Sequence, residues 1–138
     1  MSGRSFLDTN VLVYAYDPTD PRKQEIAEGL VKQAMKGDAV ISTQVLAEFA
    51  ATLLHKAAIG RTAEDLVRML DILAPIQVVS ADGDTVRRAV EARRAYGIHF
   101  YDGMIVAAAE RVGCEKIWSE DFNAGQKYFG VQVENPFA

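Results

Sequence analysis

Short apolar runs alternate along the whole chain with longer stretches in which apolar residues recur at helical spacing. Ser5-Phe6-Leu7 reads as a strand that ends on the turn Asp8-Thr9-Asn10; the apolar run Val11-Leu12-Val13 behind it is assigned no element of its own. Asp20 and Pro21 suit a cap and a first helical position. They start a helix from Arg22 to Met35 with Ile26, Leu30, Val31 and Ala34 inward and Gly37 past its end. Ala39-Val40-Ile41 is a second strand. Ser42 or Thr43 caps the next helix, whose Val45, Leu46, Phe49, Leu53 and Leu54 keep the helical period up to Gly60. Thr62 begins another, with Leu66, Val67, Leu70 and Leu73 as its inner stripe and Pro75 as its stop.

Ile76-Gln77-Val78-Val79 forms the third strand, and a helix over 82–96 turns Val86, Ala89 and Val90 inward before Gly97 ends it. After an irregular stretch, Asp102 opens an alanine-rich helix with Ile105, Val106, Ala109 and Val112 buried and Gly113 at its exit. Lys116-Ile117-Trp118 is the fourth strand, 122–129 a short helix or turn, and Val131-Gln132-Val133 a closing strand. Strands alternating with helices predict an α/β fold: a three-layer α/β/α sandwich around a mainly parallel sheet of about five strands.

Composition narrows the class without naming a function. At 138 residues, with neither repeat nor linker, the chain reads as one domain spanning 1–138 that buries roughly two-thirds of its unfolded surface. Hydrophobic residues at 49% and charged residues at 25% exclude wholesale disorder, and no apolar run approaches the ~20 residues that span a bilayer. Met1-Ser2-Gly3-Arg4 leads into the first strand without an apolar signal core, so a cytoplasmic location and no membrane association are expected. The single Cys114 excludes an intramolecular disulfide and a thiolate zinc site, and reads as a core residue. A net charge of -4 argues against holding nucleic acid by bulk positive charge. It leaves open an enzyme that reaches phosphates through bound metal ions.

Four acids stand out by position. Asp8 follows the first strand, Glu48 lies in the second turn of the helix after the second strand, Asp102 opens its helix, and Asp121 follows the fourth strand. Each has an ordinary use as a turn former, a helix cap or a solvated surface residue. All four, however, can face the carboxyl end of one sheet, where open α/β folds bind ligands. Such a cluster costs about 1 kcal/mol per close pair in water and several times that when partly buried. A bound cation offsets the cost, and oxygen ligands without histidine or thiolate suit Mg²⁺, with Mn²⁺ as a substitute. Phosphodiester hydrolysis is the matching reaction class. Asn10 and Ser119 are candidates to orient these acids or to serve the turns they sit in, and Glu120 assists or replaces Asp121.

Phe6-Leu7-Asp8-Thr9-Asn10-Val11-Leu12, Ser42 with Glu48, Tyr101-Asp102 with the helix through 105–109, and Ser119-Glu120-Asp121-Phe122 resemble the ordered motifs of PIN domains. The likeness is greatest to VapC-type toxins of bacterial toxin–antitoxin modules. It implies a Mg²⁺-dependent endoribonuclease acting on RNA, usually a homodimer, restrained by a small cognate antitoxin that occupies the acidic crevice. On that resemblance Asp8, Glu48, Asp102 and Asp121 are the catalytic, metal-binding acids.

Cations for an RNA backbone would come from Lys56, Arg61, Arg87, Arg88, Arg93 and Arg94, while His55 and His99 read as structural or surface residues. Exposed apolar residues of the two helices within 43–74 would form an antitoxin groove. Two other functions were weighed. A haloacid-dehalogenase-like phosphatase needs a second acid two residues after the first, where this chain has Asn10. A catalytically silent PIN-like module that binds RNA or protein would have no need of a repulsive acid cluster.

Overall fold

Every helix that the pattern assigns begins on a side chain that accepts a backbone N–H, and these caps set where the sheet hands over to the helices. Asp20, Ser42, Thr62 and Asp82 each accept from the residue three positions on. The computed structural model describes residues 3–56 and 59–138. Met1 and Ser2, before the first strand, and Ala57 and Ala58, within the stretch read as helix up to Gly60, lie outside the described residues.

In chain order the elements are β1 (Ser5–Leu7), α1 (Thr9–Ala15), α2 (Pro21–Met35), β2 (Ala39–Ser42), α3 (Thr43–His55), α4 (Ala63–Leu73) and β3 (Gln77–Val79). They continue as α5 (Gly83–Tyr96), α6 (Phe100–Arg111), β4 (Lys116–Trp118), β5 (Lys127–Tyr128) and β6 (Val131–Glu134). The sheet runs β3-β2-β1-β4-β6-β5, parallel throughout except for the β5–β6 pair. Connections run outward from β1 to one edge and then return to build the other side. Right-handed crossovers put α1 to α4 on one face and α5 with α6 on the other. The order reverses between β1 and β4, and there the carboxyl ends of two adjacent strands open a crevice. One buried apolar cluster extends from Phe6 to Phe137 and joins both faces.

Several expected details differ. The apolar run after β1 is α1, a seven-residue helix capped by Asp8, with Val11, Leu12 and Ala15 buried. Two turns are too few to display a period, which is why the pattern leaves it unassigned. α2 buries Ala27 with Val31 and Ala34, leaving Ile26 and Leu30 half-buried. α4 buries Leu66, Met69 and Leu73 and exposes Val67. Leu54 on α3 is exposed as well.

α5 is rotated from the expected face. Thr85, Ala89 and Ala92 are buried, while Val86 and Val90 are 43% and 54% exposed. The reason is close approach: α5 lies against α6 so tightly that a Cβ built on Gly103 would meet the Ala89 carbonyl oxygen at 2.6 Å. Only small residues fit at that seam. α6 begins at Phe100, with the His99 ring Nδ1 accepting from the Tyr101 N–H at 3.2 Å, so Asp102 sits within the first turn and does not open the helix.

The 122–129 stretch is a loop that ends in β5, which adds a sixth strand as an antiparallel hairpin with β6. Phe129 and Gly130 turn that hairpin with φ of 49° and 83°. Two successive positive φ angles define a mirror-image turn for which Asn-Gly is the usual signal, and Phe-Gly does not advertise it. The Phe129 conformation is held from outside: its N–H donates to the Tyr96 hydroxyl at 2.9 Å, and the Arg88 guanidinium lies 3.5 Å above its ring.

Candidate active site at the carboxyl edge of the sheet

β1 and β4 run in register, Leu7 beside Trp118, so the residues that follow them meet. The Asp8 N–H donates to the Trp118 carbonyl at 3.1 Å, and the Ser119 hydroxyl donates to Asp8 Oδ2 at 2.7 Å. As the cap of α1, Asp8 also accepts from the Thr9 N–H on Oδ1 at 2.7 Å. Asp8 and Ser119 are both buried. Loss of solvent pushes the Asp8 carboxyl up to about 6 against the pull of the Ser119 and Thr9 hydrogen bonds, and nearby Asp121 and Asp102 add to the rise.

The other three acids approach this floor from different elements. Asp102, in the first turn of α6, is half-buried. Its carboxyl is raised first by desolvation and then by Asp121 and Glu48, with His99 opposing. Glu48 is exposed on α3 and accepts from the Thr9 hydroxyl at 3.0 Å and the Gln44 amide at 3.2 Å. The same Gln44 amide donates to the Tyr101 carbonyl at 3.1 Å, which ties α3 to α6 across the site. Asp121 accepts from the Asn10 amide at 3.1 Å, while its N–H donates to Ser119 Oγ at 3.1 Å. Asn10 therefore spans the crevice: its amide also donates to Ser119 Oγ at 3.2 Å and its carbonyl accepts from the Glu120 N–H at 3.3 Å.

An open pocket of about 320 Å³ adjoins these groups: Glu48 and Asp121 line it, with Thr9, Asn10, Tyr14 and Lys56 among others, while Asp8 and Asp102 do not. Among the described residues, Asp8, Glu48, Asp102 and Asp121 form no ion pair. Nor do any three Asp, Glu, His or Cys side chains among them stand close enough to cage a metal ion unaided. The rise of the Asp8 and Asp102 carboxyls beside neighbouring acids is consistent with that spacing, since charges influence one another well beyond the reach of a shared coordination sphere.

Glu120 does not face this pocket, contrary to its expected place beside Asp121. It is turned outward onto Lys23 and Tyr14, at 2.6 Å from each. Of the six candidate cations, only Lys56 lines the pocket. Arg61 holds the loop before α4, donating to the carbonyls of Ile59 at 2.8 Å and Tyr16 at 3.3 Å. Arg88 forks onto Glu110 at 2.8 and 2.9 Å, and Arg93 donates to the Ile98 carbonyl at 3.1 Å. Arg87 and Arg94 flank Val90 on the outer face of α5. Tyr14, Lys23, Thr9 and Gln44 are site residues that the sequence reading missed. The i, i+4 spacing of Asn10 and Tyr14 was the available signal, and it has meaning only once α1 is known to be a helix.

A doubly wound α/β sheet with acids gathered at its switch point defines the class of protein. The chain belongs to the PIN domain family, whose model matches residues 5–129. No curated protein sequence matches it. Among solved structures, it is similar to DNA-bound VapBC from Salmonella typhimurium, with a TM-score of 0.68 and 16% identity over 99% of each chain. It is also similar to FitAcB from Neisseria gonorrhoeae, at 0.67 and 19% over 96% of this chain and 98% of the other. A third is VapC20 of Mycobacterium tuberculosis, a sarcin–ricin-loop-cleaving toxin, at 0.64 and 17% over 86% of this chain and 91% of that one. Among the described residues no helix is long and apolar enough to cross a membrane.

Proposed function

We propose that this chain is a divalent-metal-dependent endoribonuclease, the toxin of a VapBC-type toxin–antitoxin module. The observation that carries the reading is the convergence of Asp8, Glu48, Asp102 and Asp121 on the carboxyl edge of the sheet, where Asp121 and Asp102 raise the Asp8 carboxyl, Asp121 and Glu48 raise that of Asp102, and none of the four forms an ion pair among the described residues. Family membership and the toxin structures that share the fold support it.

The donor set is all oxygen, which fits Mg²⁺ or Mn²⁺. Asp8, Asp102 and Asp121, with Glu48 at the rim, would hold the ion. Bound there, it would offset charge on a phosphoryl group and lower the pKa of water. The protein's own part is positioning. Ser119 and the Thr9 N–H fix the Asp8 carboxylate, Asn10 fixes Asp121, and Lys56 offers a positive contact to the RNA backbone at the rim. Asn10, which donates to Asp121 and Ser119, holds the position two residues after Asp8 where phosphatase chemistry needs its second acid.

An antitoxin would place an Arg or Lys against the acids. Its apolar segment would lie along the groove of about 340 Å³ between α3 and α4, lined by Leu46, Ala50, Leu70, Leu73 and Val78. We further propose a homodimer as the working form.

The purified chain is expected to cleave structured RNA in the presence of Mn²⁺ or Mg²⁺ and to stop when EDTA is added, while Asp102→Asn leaves the RNA intact. Equal cleavage by both proteins would sink the assignment and indicate a contaminating nuclease. Binding without cleavage by the native chain would favour a silent RNA-binding module instead. Lys56→Ala should raise KM with little change in kcat, because the contact it removes serves ground state and transition state alike.

A further inference from the structure

The two neighbouring acids after β4 are treated in opposite ways. The Ser119-Glu120-Asp121 segment bends at Glu120 and Asp121, and the two adjacent acids leave it toward different partners. Asn10 and Tyr14 stand one turn apart on the same face of α1 and take one acid each: Asn10 donates to Asp121 at 3.1 Å and Tyr14 donates to Glu120 Oε1 at 2.6 Å. Lys23, from α2, donates to Glu120 Oε2 at 2.6 Å and to the Tyr14 hydroxyl at 3.2 Å. The ammonium rests 4.8 Å from the centre of the Tyr14 ring and 5.7 Å from that of Phe137, and those two rings meet edge to face at 4.9 Å. Lys23 and Glu120 side chains are 26% and 27% exposed, so the pair is partly shielded from water.

A single ion pair near the surface contributes little to stability, so stability alone does not account for so many contacts on one carboxylate. Their geometric effect is specific. A Glu120 released from them would bring a further negative charge to the edge of the pocket and free the 119–121 segment to turn.

We infer that Lys23 and Tyr14 form a clasp that holds Glu120 out of the acidic pocket and thereby aims Asp121 into it, which makes both of them positioning residues for the metal-binding acids. The inference rests on the reading of Asp121 as one of those acids.

The test is a Mn²⁺-binding titration on the full chain, following free Mn²⁺ by electron paramagnetic resonance, with melting temperature measured alongside. Lys23→Met is expected to weaken Mn²⁺ binding about tenfold, the scale found when a group supporting a metal ligand is lost. Lys23→Arg should restore most of it. In an Asp121→Asn background Lys23→Met should weaken binding no further, because the residue through which it acts is gone. Tyr14→Phe removes one hydroxyl and leaves the rings in place. It should shift binding in the same direction by less, and it keeps the test intact if Lys23→Met does not fold.

If Lys23→Met weakens binding equally in both backgrounds, or leaves it unchanged while Asp121→Asn weakens it, the clasp is only structural and the inference is overturned. If neither Asp121→Asn nor Asp8→Asn affects Mn²⁺ binding, the metal-site reading fails and the inference falls with it.

Discussion

Asp8→Asn is expected to melt at a higher temperature than the native chain in metal-free buffer above pH 6, and to lack the rise that millimolar Mg²⁺ or Mn²⁺ would give the native chain on the metal-site proposal. Asp8 is a buried carboxyl whose pKa stands at about 6 against an ordinary 3.8, with desolvation as the main cause. A raised pKa means that the folded state holds the proton more tightly than the unfolded one. Its contribution is therefore fully present below about pH 4 and is lost as pH rises through 6. Above that the native chain carries a stability cost of up to roughly 3 kcal/mol from this one group. Asparagine keeps an acceptor for the Thr9 N–H and removes the charge, so the variant escapes the cost.

For a chain of this length each kcal/mol corresponds to roughly 3 °C, which differential scanning calorimetry resolves. A metal ion bound at Asp8 would act in the opposite sense, by mass action on the folded state. A variant less stable than the native chain at pH 7.5 without metal, or one that still responds to Mn²⁺, would show that Asp8 is a structural cap and no ligand.

The second large effect lies at the α5–α6 seam. Gly103→Ala should destabilise the fold by about 1–3 kcal/mol or more, because the atoms its methyl would strike are backbone and cannot turn aside. The Ala89 carbonyl oxygen would lie 2.6 Å from the new Cβ, with the carbonyl carbon and Cα of Ala89 at 3.3 Å. Urea unfolding measures the loss, and cleavage should fall with it, since Asp102 is the neighbouring residue and moves with any separation of the helices. Gly29→Ala is the control. Gly29 lies within α2 with nothing inside 4 Å of an added Cβ, so there alanine should stabilise by about 0.5–1 kcal/mol. A Gly103→Ala protein as stable as native would mean that α5 and α6 can shift apart without cost.

Parallel-strand alternation, the caps and the carboxyl-edge location of the acids were legible because each depends on local chemistry: a run of apolar residues, a side chain that accepts an N–H, an acid directly after a strand. The direction of helix faces was less so. Val86 and Val90 announce an inner stripe by hydrophobicity, yet Thr85, Ala89 and Ala92 are buried, because the seam with α6 admits only small side chains. Asp102 reads as a helix opener since aspartate is a favoured cap; His99 takes that role three residues earlier with its ring nitrogen. Glu120 and Asp121 were inseparable in sequence, as adjacent acids just after a strand. What separates them comes from Lys23, 97 positions away in the chain. Which basic residues border the pocket was hidden for the same reason: Arg61 and Arg88 are engaged by distant carbonyls and carboxylates that no spacing rule reveals.

The central strand also has a temporal meaning. β1 is made first but sits mid-sheet, and its partner β4 and the Ser119 hydroxyl that anchors Asp8 lie 111 positions later. Closing such distant pairs is slow, and it waits for nearly the whole chain. A growing or truncated chain thus carries Asp8, Glu48 and even Asp102 as scattered, solvated acids. The crevice between β1 and β4, with the Ser119 hydroxyl on Asp8, therefore forms only once β4 has joined the sheet.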